Sequence, residues 1–185
     1  EKWFALIDEL EANKEDLRDY IKQVKSKVLD LAIHGKLVPQ DPNDEPAIEL
    51  LKRINQNFKP CDTSHYENLP SGWTICPLNQ VTNIARGGSP RPIKDYITTE
   101  ANGINWIKIG DTEKNGKYIN DTKEKIKPEG ISRSRMIHKG DFLLTNSMSF
   151  GRPYISNIDG CIHDGWLVIS PIANIYDKDF LYYLL

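Results

Sequence analysis

Three short polar stretches hold the side chains best suited to chemistry with a polyanion. Arg86-Gly87-Gly88-Ser89-Pro90-Arg91 sets two arginines around backbone that glycines leave open. Arg133 and Arg135 flank Ser132 and Ser134. Asn146-Ser147-Met148-Ser149-Phe150-Gly151-Arg152 is a third polar stretch ending on an arginine. An arginine fork matches the guanine edge, Asn matches adenine, Ser serves either, and all of them reach phosphate oxygens. The candidate contacts are Arg86, Gly87, Gly88, Ser89, Arg91, Arg133, Arg135, Asn146, Ser147, Ser149 and Arg152. Each stretch alone reads equally well as a solvated turn. Three on one module shift the balance toward a binding surface.

Net charge is −2, which at face value argues against nucleic acid. Its distribution argues otherwise. Residues 1–68 hold 10 Lys/Arg against 14 Asp/Glu, whereas residues 86–152 hold 13 against 8. Local charge steers a polyanion better than the chain total does.

Other chemistries find less support. His34, His65, His138 and His163 are scattered, and Cys161 with His163 lacks a second pair at zinc-ligand spacing. Neither phosphate-binding glycine fingerprint is present. Ser147 and Ser149 do not sit in a nucleophile elbow. Asp111 followed by Asp121-Thr122-Lys123 resembles the carboxylate and lysine pattern of magnesium-dependent nucleases. It also brackets an Asn-Gly turn, where Asp, Thr and Lys are common anyway. No cofactor-binding glycine turn or Asn/Asp-Pro-Pro-aromatic loop marks a methyltransferase. We therefore expect no catalytic residue and no metal ligand.

The elements that must position these stretches begin with a heptad stripe. Trp3, Leu10, Leu17, Val24 and Leu31 form one column; Ile7, Lys14, Ile21 and Val28 form the other. This 3–4 spacing predicts a helix with a coiled-coil seam, about 50 Å long. An ordinary amphipathic core helix is the plainer alternative. Gly35, then Pro39, mark its end. A proline-rich connector follows, with Asn43 or Asp44 as cap and Glu45 and Pro46 in the first turn of a helix reaching Asn55. Residues 56–68 read as a linker.

From Leu69 the texture is β. Strands are expected at Trp73–Pro77, Ile104–Ile109, Asp141–Thr145, Tyr154–Ile158 and Cys161–Ile169. Residues 78–85 fit a short helix or a strand. Asn115-Gly116 predicts a hairpin, with Tyr118–Lys125 returning along the Ile104 strand. Residues 128–135 suit a helical turn. Asp177 or Asp179 can cap a final helix with Phe180, Leu181 and Leu184 on one face, and its open apolar face suggests that the sequence is part of a longer one. The fold expectation is α+β, divided into a spacer helix (1–36), a connector with a short helix (37–68) and a mainly β domain (69–185). No apolar run approaches 18 residues, and the start lacks a signal-peptide pattern. Three distant cysteines argue against a disulfide framework and fit a reducing cytoplasm.

Two regions resemble the specificity (S) subunit family of type I restriction–modification systems. The helix exit Lys25-Ser26-Lys27-Val28-Leu29-Asp30-Leu31-Ala32-Ile33-His34-Gly35-Lys36-Leu37-Val38-Pro39 is similar to that family's spacer, as are the connector Gln40–Pro46 and Leu50–Ile54. The second region is similar to its target recognition domain. There the pattern runs Leu69-Pro70-x-Gly72-Trp73, Gly87-Gly88-Ser89-Pro90, Gly103-Ile104-x-Trp106-Ile107, Lys139-Gly140-Asp141, Ser149-Phe150-Gly151 and Ser170-Pro171.

The resemblance implies a non-catalytic subunit that binds one half of a bipartite duplex DNA site. It implies methyltransferase and restriction subunits as partners, with S-adenosylmethionine, ATP and Mg²⁺ held by them and no cofactor in this chain. One recognition domain is present where a full S subunit has two. With no second spacer helix, Ile7, Leu10, Leu17, Ile21, Val24, Val28 and Leu31 are expected to pair with a second copy of this chain. The rivals are a coiled-coil module that binds protein, and a nuclease using Asp111, Asp121 and Lys123.

Overall fold

The computed structural model describes residues 2–62, 69–113, 115–173 and 175–185, without side chains for residues 2–10. It has mixed helix and sheet. Its contacts separate two compact units, Glu1–Leu50 with Pro60–Ile75, and Leu51–Lys59 with Cys76–Leu185.

The first unit is dominated by helix α1 (Lys2–Ile33). Its stop follows the local chemistry. Gly35 takes φ +64°, and the amides of Gly35 and Lys36 reach back to the carbonyls of Ala32 (3.0 Å) and Leu31 (2.7 Å). Those two bonds satisfy carbonyls that the helix end would leave orphaned. Trp73 lies against Gly35 and donates from Nε1 to Gln40 Oε1 at 2.8 Å. No strand forms at Trp73–Pro77, contrary to expectation, because Trp73 serves this turn instead. Helix α2 (Ala47–Ile54) starts later than the expected cap: Pro46 accepts at its N-terminus from Glu49 (2.9 Å), and Asp41 makes the preceding turn by accepting from the Asn43 amide at 2.9 Å. Most of the second half of the expected linker, residues 63–68, lies outside the described residues.

Among the described residues the second unit holds ten strands in two five-stranded sheets. They are β1 (Thr82–Arg86), β2 (Ile97–Thr98), β3 (Ile104–Ile107), β4 (Tyr118–Ile119), β5 (Glu124–Ile126), β6 (Arg135–Ile137), β7 (Phe142–Thr145), β8 (Pro153–Ser156), β9 (Gly160–Ile162) and β10 (Trp166–Pro171). One sheet runs β1-β10-β7-β8-β4 and the other β2-β5-β3-β9-β6. Helix α3 (Lys178–Leu184) follows, with Asp177 Oδ1 accepting from the Phe180 amide at 2.8 Å as its cap.

A central core gathers Ile107, Ile137 and Ile162 from one sheet with Leu143, Tyr154 and Trp166 from the other. Tyr154 and Trp166 meet edge to face, with ring centroids 5.6 Å apart. The outer face of the β7 sheet buries Phe142, Ile155 and Ile169 with Leu181 of α3. The outer face of the β3 sheet buries Trp106, Ile126 and Cys161, covered by Ile93 from a short 3₁₀ turn and Ile131 from the 3₁₀ helix Pro128–Arg133. Both faces of the central strands are thus apolar, so Phe142-Leu143-Leu144 lacks the alternation of a half-exposed strand.

Two pairings differ from expectation. The return from β3 is β5, in register Ile104↔Ile126 and Trp106↔Glu124, whereas β4 joins the other sheet parallel to β8. Asn115-Gly116 therefore does not close a two-residue hairpin between neighbouring strands; Lys114 lies outside the described residues. The expected single strand at Cys161–Ile169 is two: β9 lies parallel to β3, and β10 lies between β1 and β7 in the other sheet.

Candidate nucleic-acid interface

The turn that carries the chain from β9 to β10, His163-Asp164-Gly165, is where two of the three basic stretches anchor and the third comes close. Strand β1 delivers Arg86 at its end, and Arg86 Nε donates to the Asp164 carbonyl at 2.8 Å. The next two amides continue the grip: Gly87 donates to Trp166 O (2.9 Å) and Gly88 to Ile162 O (3.1 Å). A Cβ on Gly87 would stand 2.1 Å from the His163 carbonyl, so only glycine allows this approach. Ser89 Oγ donates to Asp164 Oδ1 at 2.9 Å, and Arg91 Nη2 lies 3.6 Å from Asp164 Oδ2 with its side chain 81% exposed. The Ser89 hydroxyl holds the Asp164 carboxyl below the usual carboxylate range against partial burial, with help from His163 and Arg91.

The second stretch joins from the edge strand. Arg135 Nε donates to Arg86 O at 2.8 Å, and Ser134 Oγ to Ile162 O at 3.1 Å. Arg133 is different. Its guanidinium lies 5.6 Å from the centre of the Tyr96 ring, at cation–π distance, and not on the 163–165 turn.

The third stretch links β7 to β8. The Asn146 amide donates to Gly165 O at 2.9 Å, and with its side-chain amide in the orientation that satisfies both ends, Nδ2 donates to the same oxygen at 2.7 Å. Ser147 Oγ packs against Gly165, where an added Cβ would come within 2.6 Å of it. Inside the loop, Thr145 Oγ1 donates to Ser149 O and accepts from the Arg152 amide at 2.9 Å. Arg152 is thereby fixed through its backbone. Met148, at φ +57°, and Phe150 stand 92% and 77% exposed at the loop tip.

Beside the Arg91 segment lies a cleft of about 710 Å³ lined by Ser89, Arg91, Trp106, Lys108, Glu124 and His163. Lys108 Nζ and Glu124 Oε2 pair across it at 2.9 Å. The alternative nuclease residues are engaged locally: Asp111 Oδ2 accepts from the Lys108 amide (2.9 Å), Asp121 Oδ1 from the Thr122 amide (2.8 Å), and Lys123 Nζ donates to Gly110 O (3.2 Å). Among the described residues no three His, Cys, Asp or Glu side chains group as metal ligands.

Reading the stretches singly missed His163, Asp164 and Gly165, the residues that join them. A signal existed: Asp-Gly is a turn dipeptide, and it would have divided the supposed strand at the observed place. Met148 and Phe150, exposed at the loop tip, are absent from the candidate contacts that residue type selects. Nothing in the sequence marked the Lys108–Glu124 pair, which forms across β3 and β5.

The chain is 42% identical to the Type I restriction enzyme EcoAI specificity subunit of Escherichia coli over 36% of this chain and 14% of that protein. It is also 42% identical to the Escherichia coli EcoEI specificity subunit, over 35% of this chain and 14% of that one. The chain thus aligns with only a small part of either relative. Two solved structures share the fold. The HsdS subunit from Thermoanaerobacter tengcongensis matches at TM-score 0.51 and 19% identity, covering 94% of this chain and 38% of that one. A chain from a study of complex assembly and conformational transition of the type I R-M system matches at TM-score 0.52 and 19% identity, covering 97% and 39%. The family model for the type I restriction modification DNA specificity domain matches residues 70–185, more than half of the chain, and the chain belongs to that family.

Proposed function

We propose that this chain is a sequence-specific duplex DNA-binding part of a type I restriction–modification specificity subunit. It reads one half of a bipartite site and directs methyltransferase and restriction subunits there. The chemistry of methylation and cleavage, with S-adenosylmethionine, ATP and Mg²⁺, belongs to those partners, and this chain is non-catalytic. The observation that supports the reading most is the joining of Arg86–Arg91, Arg135 and Asn146–Arg152 around one short turn. Guanidinium and amide groups offered together from a rigid sheet edge suit base edges and phosphates at once. Selection of duplexes from a random pool, with and without methyltransferase subunits, tests it. An enriched motif is expected, with affinity falling steeply as salt rises. Recovery of random sequence in both arms overturns it.

A second role is supported by α1. Leu17, Ile21, Val24 and Val28 are 58, 45, 44 and 45% exposed along one stripe, an apolar area that a monomeric helix gains nothing by showing to water. We propose that this seam pairs with a second copy, with Lys14 at the edge to set register. The seam's first residues, Ile7 and Leu10, have side chains outside the described residues.

A further inference from the structure

The turn between β9 and β10 sets one carboxylate in the middle of a basic surface. Asp164 meets three side chains of a loop more than 70 positions earlier: Oδ1 accepts from Ser89, Oδ2 faces Arg91, and its carbonyl accepts from Arg86. A carboxylate offers arginine the same charge and acceptor geometry as a phosphate. It therefore competes with any phosphate for Arg91 while it fixes Ser89 and Arg86.

Resting on the DNA-reading role above, we propose that Asp164 is a positioning residue for selectivity. It holds Ser89 and Arg91 ready for base edges and withholds Arg91 from indiscriminate phosphate binding. The two links differ in strength. The Arg91 pair is long and solvent-exposed, so a ligand displaces it at little cost. The Ser89 bond is shorter and partly buried, so it persists. A non-cognate duplex gains Arg91 only by breaking its pair with Asp164, whereas a cognate edge meets the loop as it stands. Specificity then comes from an internal rival for the wrong contact as well as from attraction to the right one.

The test uses the 185-residue chain, alone and with methyltransferase subunits. Affinity for the selected duplex and for a scrambled duplex is measured across a salt series, together with melting temperature. The variants are Asp164→Asn, which keeps an acceptor for Ser89 but removes the charge, and Ser89→Ala, which keeps the charge but removes the bond. For Asp164→Asn the ratio of selected to scrambled affinity is expected to fall about threefold, the scale of one exposed ion pair. Its log–log salt slope on scrambled DNA is expected to steepen by about 0.9 as one more phosphate is bound. Ser89→Ala is expected to lower the ratio and leave that slope unchanged. An unchanged ratio and slope in both variants, with or without a drop in melting temperature, overturns the positioning role and leaves the DNA-reading role standing. A parent chain that selects no duplex in either arm overturns both.

Discussion

Arg135 donates from Nε to the main-chain oxygen of Arg86 across 2.8 Å, joining residues 49 apart in the sequence. The bond ties edge strand β6 of one sheet to edge strand β1 of the other. Truncating Arg135 to Ala leaves that carbonyl to water and costs about 1 kcal/mol of stability. DNA affinity should fall further than stability does, because the Arg86 segment loses its tie. Lys at 135 should not restore it, since lysine carries a methylene where arginine carries the donating Nε. Thermal melts and gel-shift titrations of the two variants check this.

Gly87→Ala is expected to be far worse than its size suggests. The added methyl would meet the His163 carbonyl at 2.1 Å, and backbone on both sides is hydrogen-bonded. A loss of about 1–3 kcal/mol is expected, with DNA binding lost alongside. Denaturant unfolding measures the first and a filter-binding assay the second.

Replacing a single base-reading arginine should cost about 1–3 kcal/mol at one base position only. Arg91 and Arg152 are the residues to try, in a selection repeated for each Ala variant. If Arg86, Arg91 and Arg152 can all become Ala with neither affinity nor selectivity changed, the loop assignment fails.

The α1 seam predicts self-association. Ile21→Glu with Val24→Glu places charges on the exposed stripe and should yield a monomer, while the parent chain should be dimeric at high concentration. Light scattering decides, and a strictly monomeric parent chain sinks the pairing.

Asp164 makes a signed pH prediction. Its carboxyl is held below the usual range, chiefly by Ser89, so its stabilising effect is complete above the unfolded pKa of about 3.9 and is lost as pH falls through the lower folded value. Melting temperatures between about pH 6 and 2 should therefore show a shallower acid decline in Asp164→Asn than in the parent. Equal acid limbs would remove Asp164 from the account.

The resolved features divide by range. The α1 stop at Gly35, a cap at Asp177 or Asp179 (Asp177 in the structure) and the three basic stretches were legible in the sequence because each depends on bonds within a few residues or on residue type alone. The β segments at Ile104 and Phe142 were legible as strands, since β-branched and aromatic runs suit a buried sheet. Their partners were not. Trp106 lies beside Cys161 and Arg86 beside Leu167, pairings that local preference cannot encode. With both faces of the strands buried, alternation could not separate one strand from two at 161–169, and only the Asp164-Gly165 turn dipeptide hinted at the break. So the sequence determined which groups are available to a polyanion, through side-chain chemistry. Tertiary structure alone decided that Arg86, Ser89, Arg91, Arg135 and Asn146 meet around Asp164 and Gly165, because packing two sheets brings together residues that the chain keeps far apart.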